Sequence, residues 1–386
     1  MTIVFVDHRP FSHFLKNGFR QRVGRVLYHF IQEERIERII YVWWNEEPFS
    51  SGSDVQQLSA GFEKVTLCEA RRARVPFGRT LHLAAAWMDR FRIAMVSARI
   101  TEVARDPVWV WATDSRLCVA MRALADRNGG RLAYDLIDNF AVREDLRAGQ
   151  RQAYADGYQR VATLAHRIIT NNSRSIESLA LPAEKTRTIH SGVDWTRFHD
   201  AIGGPVPSDI APIHGPRVGF LGILSGMTDS GLLNAVATEV PECEVVCIGS
   251  AAGASPPLHP RIHCLGMKPY DQAASYMATF DVGVSVYRSS KASQFIDSQK
   301  AYEYLAVGIP VVTTHAETQG FTSRFIQMAG NATDFVACVR KMLRELDTDA
   351  LREARSQSVK AYNWRNRIHE ILDFLERPLA GERAGR

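Results

Sequence analysis

The sequence predicts an α/β protein made of two parallel-sheet domains, each layered with helices on both faces. Three observations predict it. Short apolar runs alternate with segments of helical period in both halves of the chain. One stretch, "DAIGGPVPSDIAPIHGP" from Asp200 to Pro216, interrupts that alternation with Gly, Pro and Ser, as an interdomain linker does. Finally, 386 residues exceed what one ordinary core organises. The expected division is 1–200, a linker at 201–216, 217–358, and a terminal helix and tail over 359–386.

In order, Ile3–Val6 reads as a short apolar strand and His13–Gln32 as a helix with Arg20, Arg22 and Arg25 among its polar residues. Strands follow at Arg38–Trp43, Val65–Cys68, Val108–Ala112 and Leu132–Ile137. A long helix over Asp145–His166 leads to a strand at Arg167–Thr170. After the linker the series resumes, with strands at Val218–Leu221, Glu244–Ile248, Ile262–Leu265, Val282–Val286 and Val311–Thr313. Val359–Leu375 closes as a helix.

Composition bounds the class. Hydrophobic residues make up 46% and charged ones 23%, values normal for a soluble globular chain. No apolar run has the length of a membrane span, and the first strand lacks the basic leader of a signal peptide. Six cysteines show no CxxC pair and no His/Cys ligand spacing, so buried free thiols in a reducing cytoplasmic setting are expected. The net charge is +5, with 29 Lys+Arg against 23 Asp+Glu through residue 200 and 18 against 19 beyond it. A basic first half suits an anionic partner. Ala70–Ile100, where arginines alternate with Val, Phe, Leu, Trp and Met, fits either a helix lying on an anionic membrane or one packed on the sheet.

The chemistry-bearing residues gather at predicted strand ends, where open α/β sheets bind ligands. Lys300 to Val312 reads as helix, tight turn and strand: Tyr302, Leu305 and Ala306 share a face, Gly308 caps, and Pro310 stops the helix. Lys300 and Glu303 lie one turn apart, a cation suited to phosphate and an acceptor suited to hydroxyls, or else a surface ion pair. Gly222, Gly249, Met267 with Lys268, and Tyr287 with Arg288 all follow strands. Glycine there lets backbone approach a ligand. In the first half, Asp135 and Asp138 point to opposite faces of a strand, with Asp138 at its carboxyl end as a candidate base or stabiliser of a cationic transition state, or a helix cap. His8 and Arg9 follow the first strand as acceptor-side candidates, with Arg22 in the next helix. No Asp-x-Asp pair follows a predicted strand, so neither a metal nor a cofactor is expected.

The stretch "KAYEYLAVGIPVV" resembles the donor-site helix of GT-B glycosyltransferases, in particular family 4 and its teichuronic-acid and exopolysaccharide branch. Ser298, Gln299, Lys300 and Glu303 fall on the family pattern. The loop "GFLGILSGMTDSGLL", the stretch "YDLIDNF", the segment "HRIITNNSRSIESL" and "IHSGVDWTRF" resemble further family stretches; Asn17 to Arg22 does so loosely. The likeness covers most of the chain from about residue 108 onward and is poor before residue 100. It implies two Rossmann-like domains facing a cleft, with a terminal helix crossing back to the first. It also implies that Glu303 meets a nucleotide ribose and Lys300 a diphosphate or sugar. Two departures stand out: Phe295 replaces a second family Glu, and the basic residue usual after Gly222 is missing, leaving phosphate charge to Lys300, Arg288 or Lys291.

The resemblance thus implies transfer of a sugar from a UDP- or GDP-linked donor to a lipid-linked or polysaccharide acceptor, in bacterial cell-surface or exopolysaccharide biosynthesis. The protein would be cytoplasmic or peripheral on the inner membrane face, with no nucleic-acid partner. The rivals are an inverting xanthan-type glucuronosyltransferase, a GT-B sugar-nucleotide epimerase, and a non-catalytic GT-B scaffold. A dinucleotide-dependent oxidoreductase fits least, because no GxGxxG follows the first strand.

Overall fold

The computed structural model describes residues 1–44, 62–70, 81–104, 108–251, 258–314, 324–345 and 347–379, with 81–88 described by backbone alone. The chain forms two compact units. One comprises Met1–Ala141, Leu146–Ile189 and Ile368–Arg386; the other comprises Val142–Asp145 and His190–Arg367.

The first unit holds β1 (Thr2–Asp7), β2 (Arg38–Trp44), β3 (Val65–Ala70), β4 (Val108–Ala112), β5 (Arg131–Leu136), β6 (Arg167–Thr170) and β7 (Thr186–Thr188). They pair in parallel in the order β3-β2-β1-β4-β5-β6-β7. β1 and β4 are buried along their whole length, as continuous apolar runs in the middle of a parallel sheet should be. Trp111 of β4 is fully buried and meets Phe30 edge-on at 5.1 Å.

Two expectations for this unit change. The helix expected over His13–Gln32 is two helices, Phe11–Lys16 and Gln21–Gln32. Gly18 and Phe19 between them, and Gln21 at the start of the second, take positive φ (60°, 53° and 71°), which breaks helical hydrogen bonding. Gly24 admits the bend: a Cβ there would lie 2.8 Å from the Phe19 carbonyl group. The basic segment 70–100 lies partly outside the described residues. Apart from Ala70, which ends β3, its described portion belongs to the helix Leu81–Val103, which buries Ile93, Val96 and Ile100 on the first core.

The second unit repeats the plan. β8 (Arg217–Leu221), β9 (Glu244–Ile248), β10 (Ile262–Cys264), β11 (Val282–Ser285), β12 (Val311–Thr313) and β13 (Ile326–Met328) pair in parallel as β10-β9-β8-β11-β12-β13. Each sheet therefore reverses its winding direction beside its first strand, at β1/β4 and at β8/β11. Ligands of doubly wound sheets bind at the carboxyl ends of that junction.

The expected linker is instead part of the second unit, inside its segment His190–Arg367. Ile210 and Ile213 are buried in its core, and Asp209 accepts from the Tyr276 hydroxyl at 2.7 Å and pairs with Lys268. Gly and Pro shape the backbone there, but two isoleucines anchor it. The terminal helix spans Trp364–Glu376, later than expected because Lys360–Tyr362 forms a separate 3-10 turn. Trp364 is fully buried against Gly192, where a Cβ would come within 2.6 Å of the indole. From Ile368 onward the helix belongs to the first unit. There Arg35 pairs with Asp373 (2.8 Å) and Glu376 (2.5 Å), and Arg167 donates to the Phe374 carbonyl at 3.0 Å. Among the described residues no helix is long and apolar enough to cross a membrane.

Candidate functional site

The site is built around the β8/β11 junction of the second sheet. Three glycines continue β8, β9 and β10 past their carboxyl ends: Gly222 (φ 148°), Gly249 (φ 140°) and Gly266 (φ 72°). The Gly222 N–H donates to Ile248 O at 2.9 Å and the Gly249 N–H to Gly266 O at 2.8 Å. The fit leaves no room for a side chain at Gly249, where a Cβ would lie 1.8 Å from Gly222 O. Together they form a bare backbone ledge.

Lys300 reaches this ledge from the helix Gln299–Ala306. Its Nζ sits 4.8 Å from the Phe220 ring centroid and 5.1 Å from that of Tyr287. A Cβ on Gly222 would lie 3.1 Å from the same Nζ. Phe220 belongs to β8 and Tyr287 follows β11, so the ammonium stands at the winding reversal, held by ring faces rather than by a carboxylate. Among the described residues Lys300 has no acidic partner.

The helix is fixed from below. The buried Tyr304 hydroxyl accepts the Leu221 N–H at 2.7 Å and donates to Gly219 O at 3.2 Å, tying the helix to β8. Gly283 gives the Tyr304 ring its space: a Cβ there would be 2.4 Å away. The Ser298 Oγ lies 3.2 Å from Ser285 Oγ, linking the helix start to β11. The turn at Gly308 has the expected left-handed form, φ 81°. Glu303 is 3% exposed and accepts from Gln299 Nε2 at 2.8 Å.

The loop after Gly222 is strapped to the end of β11. Thr228 bridges Tyr287, the Asp229 N–H donates to Val286 O (3.1 Å), and the Arg288 N–H donates to Met227 O (2.9 Å). Arg288 Nε donates to Thr228 O at 3.3 Å, so this guanidinium helps hold the strap. Tyr287 is fixed by Thr314, whose hydroxyl accepts the Tyr287 N–H and donates to its carbonyl, each at 2.8 Å. Met267, beyond β10, is 49% exposed. The structure thus brings Gly222, Gly249, Tyr287 and Lys300 together.

Sequence reasoning missed Phe220, whose place in a strand reads as ordinary core, and Asp297. The Asp297 side chain is 1% exposed, accepts the Ser191 N–H at 2.5 Å and the Tyr302 hydroxyl at 2.9 Å, and lies 3.9 Å from His190 Nδ1. It does not stand in for the carboxylate missing at Phe295, because its oxygens are already engaged by these donors. An acidic residue just before the donor-helix motif was the available signal.

In the first unit the candidates are placed differently. Asp7 accepts from Arg9 through the backbone N–H, Nε and Nη2, each at 2.8 Å. His8 is exposed, and its Nδ1 lies 3.8 Å from Asp7 Oδ1. Arg22, expected on the acceptor side, is 4% exposed and donates to Asp135 at 3.0 Å. Burial pushes the Asp135 carboxyl up, and Arg22 offsets this in part. Arg22 is therefore one half of a core ion pair rather than a charge offered to a ligand. Asp138 follows β5, half-buried, with its carbonyl accepting the Tyr158 hydroxyl at 2.9 Å.

Comparison with known proteins finds likenesses of sequence and of fold. A family model described as glycosyl transferase-like matches residues 230–373. The chain is 22% identical over 209 residues to the putative teichuronic acid biosynthesis glycosyltransferase TuaH of Bacillus subtilis (strain 168), covering 51% of this chain and 52% of that protein. It is 24% identical over 193 residues to the UDP-glucuronate:glycolipid 2-beta-glucuronosyltransferase of Xanthomonas campestris pv. campestris, covering 50% and 45%. The chain thus spans about half the length of these curated relatives. Among solved structures, Anabaena Alr3699/HepE in complex with UDP and glucose superposes with a TM-score of 0.68 at 17% identity, over 97% of this chain and 99% of that one. An E. coli trehalose-6-phosphate protein bound with UDP-2-fluoro glucose gives 0.65 at 11% identity, over 98% and 100%. With this strand order and these likenesses, the chain has the GT-B fold, and residues 230–373 match the glycosyl transferase-like family model.

Proposed function

We propose that the protein transfers a sugar from a nucleoside-diphosphate donor to a lipid-linked or polysaccharide acceptor in cell-surface polysaccharide synthesis. The observation that carries this reading is the Lys300 ammonium, held over Phe220 and Tyr287 beside Gly222 without an acidic partner among the described residues. A cation so placed neutralises the charge that develops on a departing diphosphate, where a fixed donor is worth most. The glycine ledge lets the donor approach the backbone closely. Ser298 and Glu303 are the further donor-side residues, and Asp138 the acceptor-side carboxylate, acting as base or as stabiliser of positive charge on the sugar. No metal or other cofactor takes part in this reading.

A panel of UDP- and GDP-sugars, read by thermal shift and turnover, tests it. Lys300→Ala should lower turnover about 10- to 100-fold, the worth of one charge-assisted hydrogen bond, while the melting temperature holds. Asp138→Ala should also suppress turnover, and EDTA should leave it unchanged. Wild-type rates in both variants would refute the residue assignment. Binding of donors without turnover on any acceptor or water would favour a scaffold. A lipid-linked acceptor would bring the protein to the inner membrane face. Phe91 and Met95, 47% and 38% exposed and one helical turn apart, support such a surface. Flotation with anionic vesicles that ignores both lipid charge and salt would remove this part.

A further inference from the structure

Two cysteines lie just below the glycine ledge. Cys264 of β10 stands opposite Cys247 of β9 in parallel register. Neighbouring strands run about 4.8 Å apart, within the range of about 4.4–6.8 Å that a disulfide spans between Cα atoms. Directly paired residues of neighbouring strands put their side chains on the same face of the sheet, so the two thiols lie side by side. Their surroundings differ: Cys247 is buried in the apolar cluster with Val218, Val245 and Val284, whereas Cys264 is exposed on the edge strand.

That asymmetry divides the labour. A hydrogen bond from Cys247 lowers the Cys264 thiol to about 7, with the nearby His263 adding to the effect. The same bond, and then burial, push Cys247 up. Burial also pushes up Cys68, Cys118, Cys243 and Cys338. Cys264 is thus the accessible nucleophile and Cys247 the neighbour able to resolve it.

Each of the pair precedes a ledge glycine by two residues, and those glycines, Gly249 and Gly266, are joined by their own hydrogen bond at 2.8 Å. A third link, the Leu265 N–H to Cys247 O at 3.0 Å, lies between them. A covalent bond at this point would reset the twist of β9 against β10 directly under the ledge.

We propose that Cys247 and Cys264 form an oxidisable dithiol that closes to a disulfide with a peroxide and thereby weakens nucleotide binding at the ledge. The second half rests on the donor-site reading above. In the first step the Cys264 thiolate attacks one oxygen of hydrogen peroxide. The O–O bond breaks, hydroxide leaves and takes up a proton as water, and the sulfur becomes a sulfenic acid. The Cys247 sulfur then attacks that sulfur, the S–S bond forms and the S–O bond breaks. The Cys247 proton leaves with the hydroxide as a second water. The thiol pair loses two electrons and the peroxide gains them.

The test treats the whole protein with hydrogen peroxide and measures mass and UDP affinity. The intact mass should fall by two hydrogens. Glu-C cleavage after Glu242 and Glu244 separates Cys243 from Cys247, tryptic cleavage after Arg261 separates Cys247 from Cys264, and the double digest should hold the Cys247 and Cys264 peptides joined by a disulfide. UDP affinity should fall at least about threefold and return with dithiothreitol. Cys264→Ser should abolish the crosslink, and Cys247→Ser should leave Cys264 as a sulfenic acid trapped by dimedone. Because the thiolate fraction rises with pH, iodoacetamide should label Cys264 at half its maximal rate near pH 7. Oxidation that leaves Cys247 and Cys264 unjoined overturns the proposal. A crosslink with unchanged UDP affinity overturns its second half. Failure of UDP to bind the reduced protein refutes the donor reading and, with it, only the nucleotide half; the crosslink is still judged by mass.

Discussion

The two sheets wind in the same order, yet they treat charge at the winding reversal in opposite ways. In the first unit, Asp7 at the end of β1 and Asp114 just past β4 are each clasped by an arginine two residues on: Arg9 at 2.8 Å and Arg116 at 2.6 Å. In the second unit the corresponding ends carry glycine, aromatic faces and Lys300. The fold gives both units the same address for a ligand. What differs is whether the ions there are already paired. This also reverses the weight of formal charge. The arginine-rich first half directs much of its excess into Asp7, Asp135, Asp373, Asp114, Asp126 and Asp145. The nearly neutral remainder presents the Lys300 ammonium without an acidic partner among the described residues.

Three substitutions press on that contrast. The largest effect is expected at the closed side. Arg22→Met should cost about 3–5 kcal/mol of stability, because it leaves Asp135 buried and alone, while UDP affinity stays within about twofold. Its pH dependence has a definite sign. Losing Arg22 drives the already raised Asp135 carboxyl further up, so the penalty is smallest below the ordinary value of 3.8 and grows as pH rises toward the new folded value. Urea melts at several pH values would show this, and a penalty that shrinks with rising pH would contradict it. Next is Gly249→Ala at the open side. The new Cβ meets Gly222 O at 1.8 Å in a backbone region L residues avoid. A loss of about 3 kcal/mol and of measurable UDP binding is expected; calorimetry finding normal affinity would mean the ledge is not the donor's seat. Smallest is Tyr287→Leu, which removes one ring face from Lys300 and should weaken UDP binding about threefold, in line with one exposed cation–π contact. A larger loss than that of Lys300→Ala would assign Tyr287 a role of its own.

Much of the scaffold was legible because parallel strands are continuous apolar runs. Val108–Ala112, Arg167–Thr170, Glu244–Ile248 and Val311–Thr313 stand where they were expected. β7 and β13 were missed, since Thr186-Arg187-Thr188 and Ile326-Gln327-Met328 are too short and mixed to carry a period. The broken first helix was hidden because Phe19 and Gln21 adopt a backbone that their side chains disfavour. Composition misread Asp200–Pro216, where burial of Ile210 and Ile213 outweighs seven residues' worth of Gly and Pro. In the site, Lys300 was readable because its motif is contiguous. Phe220, Asp297 and the Arg22–Asp135 pair depend on neighbours 80 to 113 positions away, which no local pattern reports.

The terminal helix bears on how the protein is made. Residues from Ile368 onward complete the first unit, whose other segments end at Ile189. A ribosome adding about 5–20 residues per second releases those earlier segments on the order of 10–40 s before their last helix exists. Throughout that interval Arg35 and Arg167 face the nascent polypeptide without their eventual carboxylate and carbonyl acceptors. The second unit, emerging meanwhile, is thus in a position to finish first.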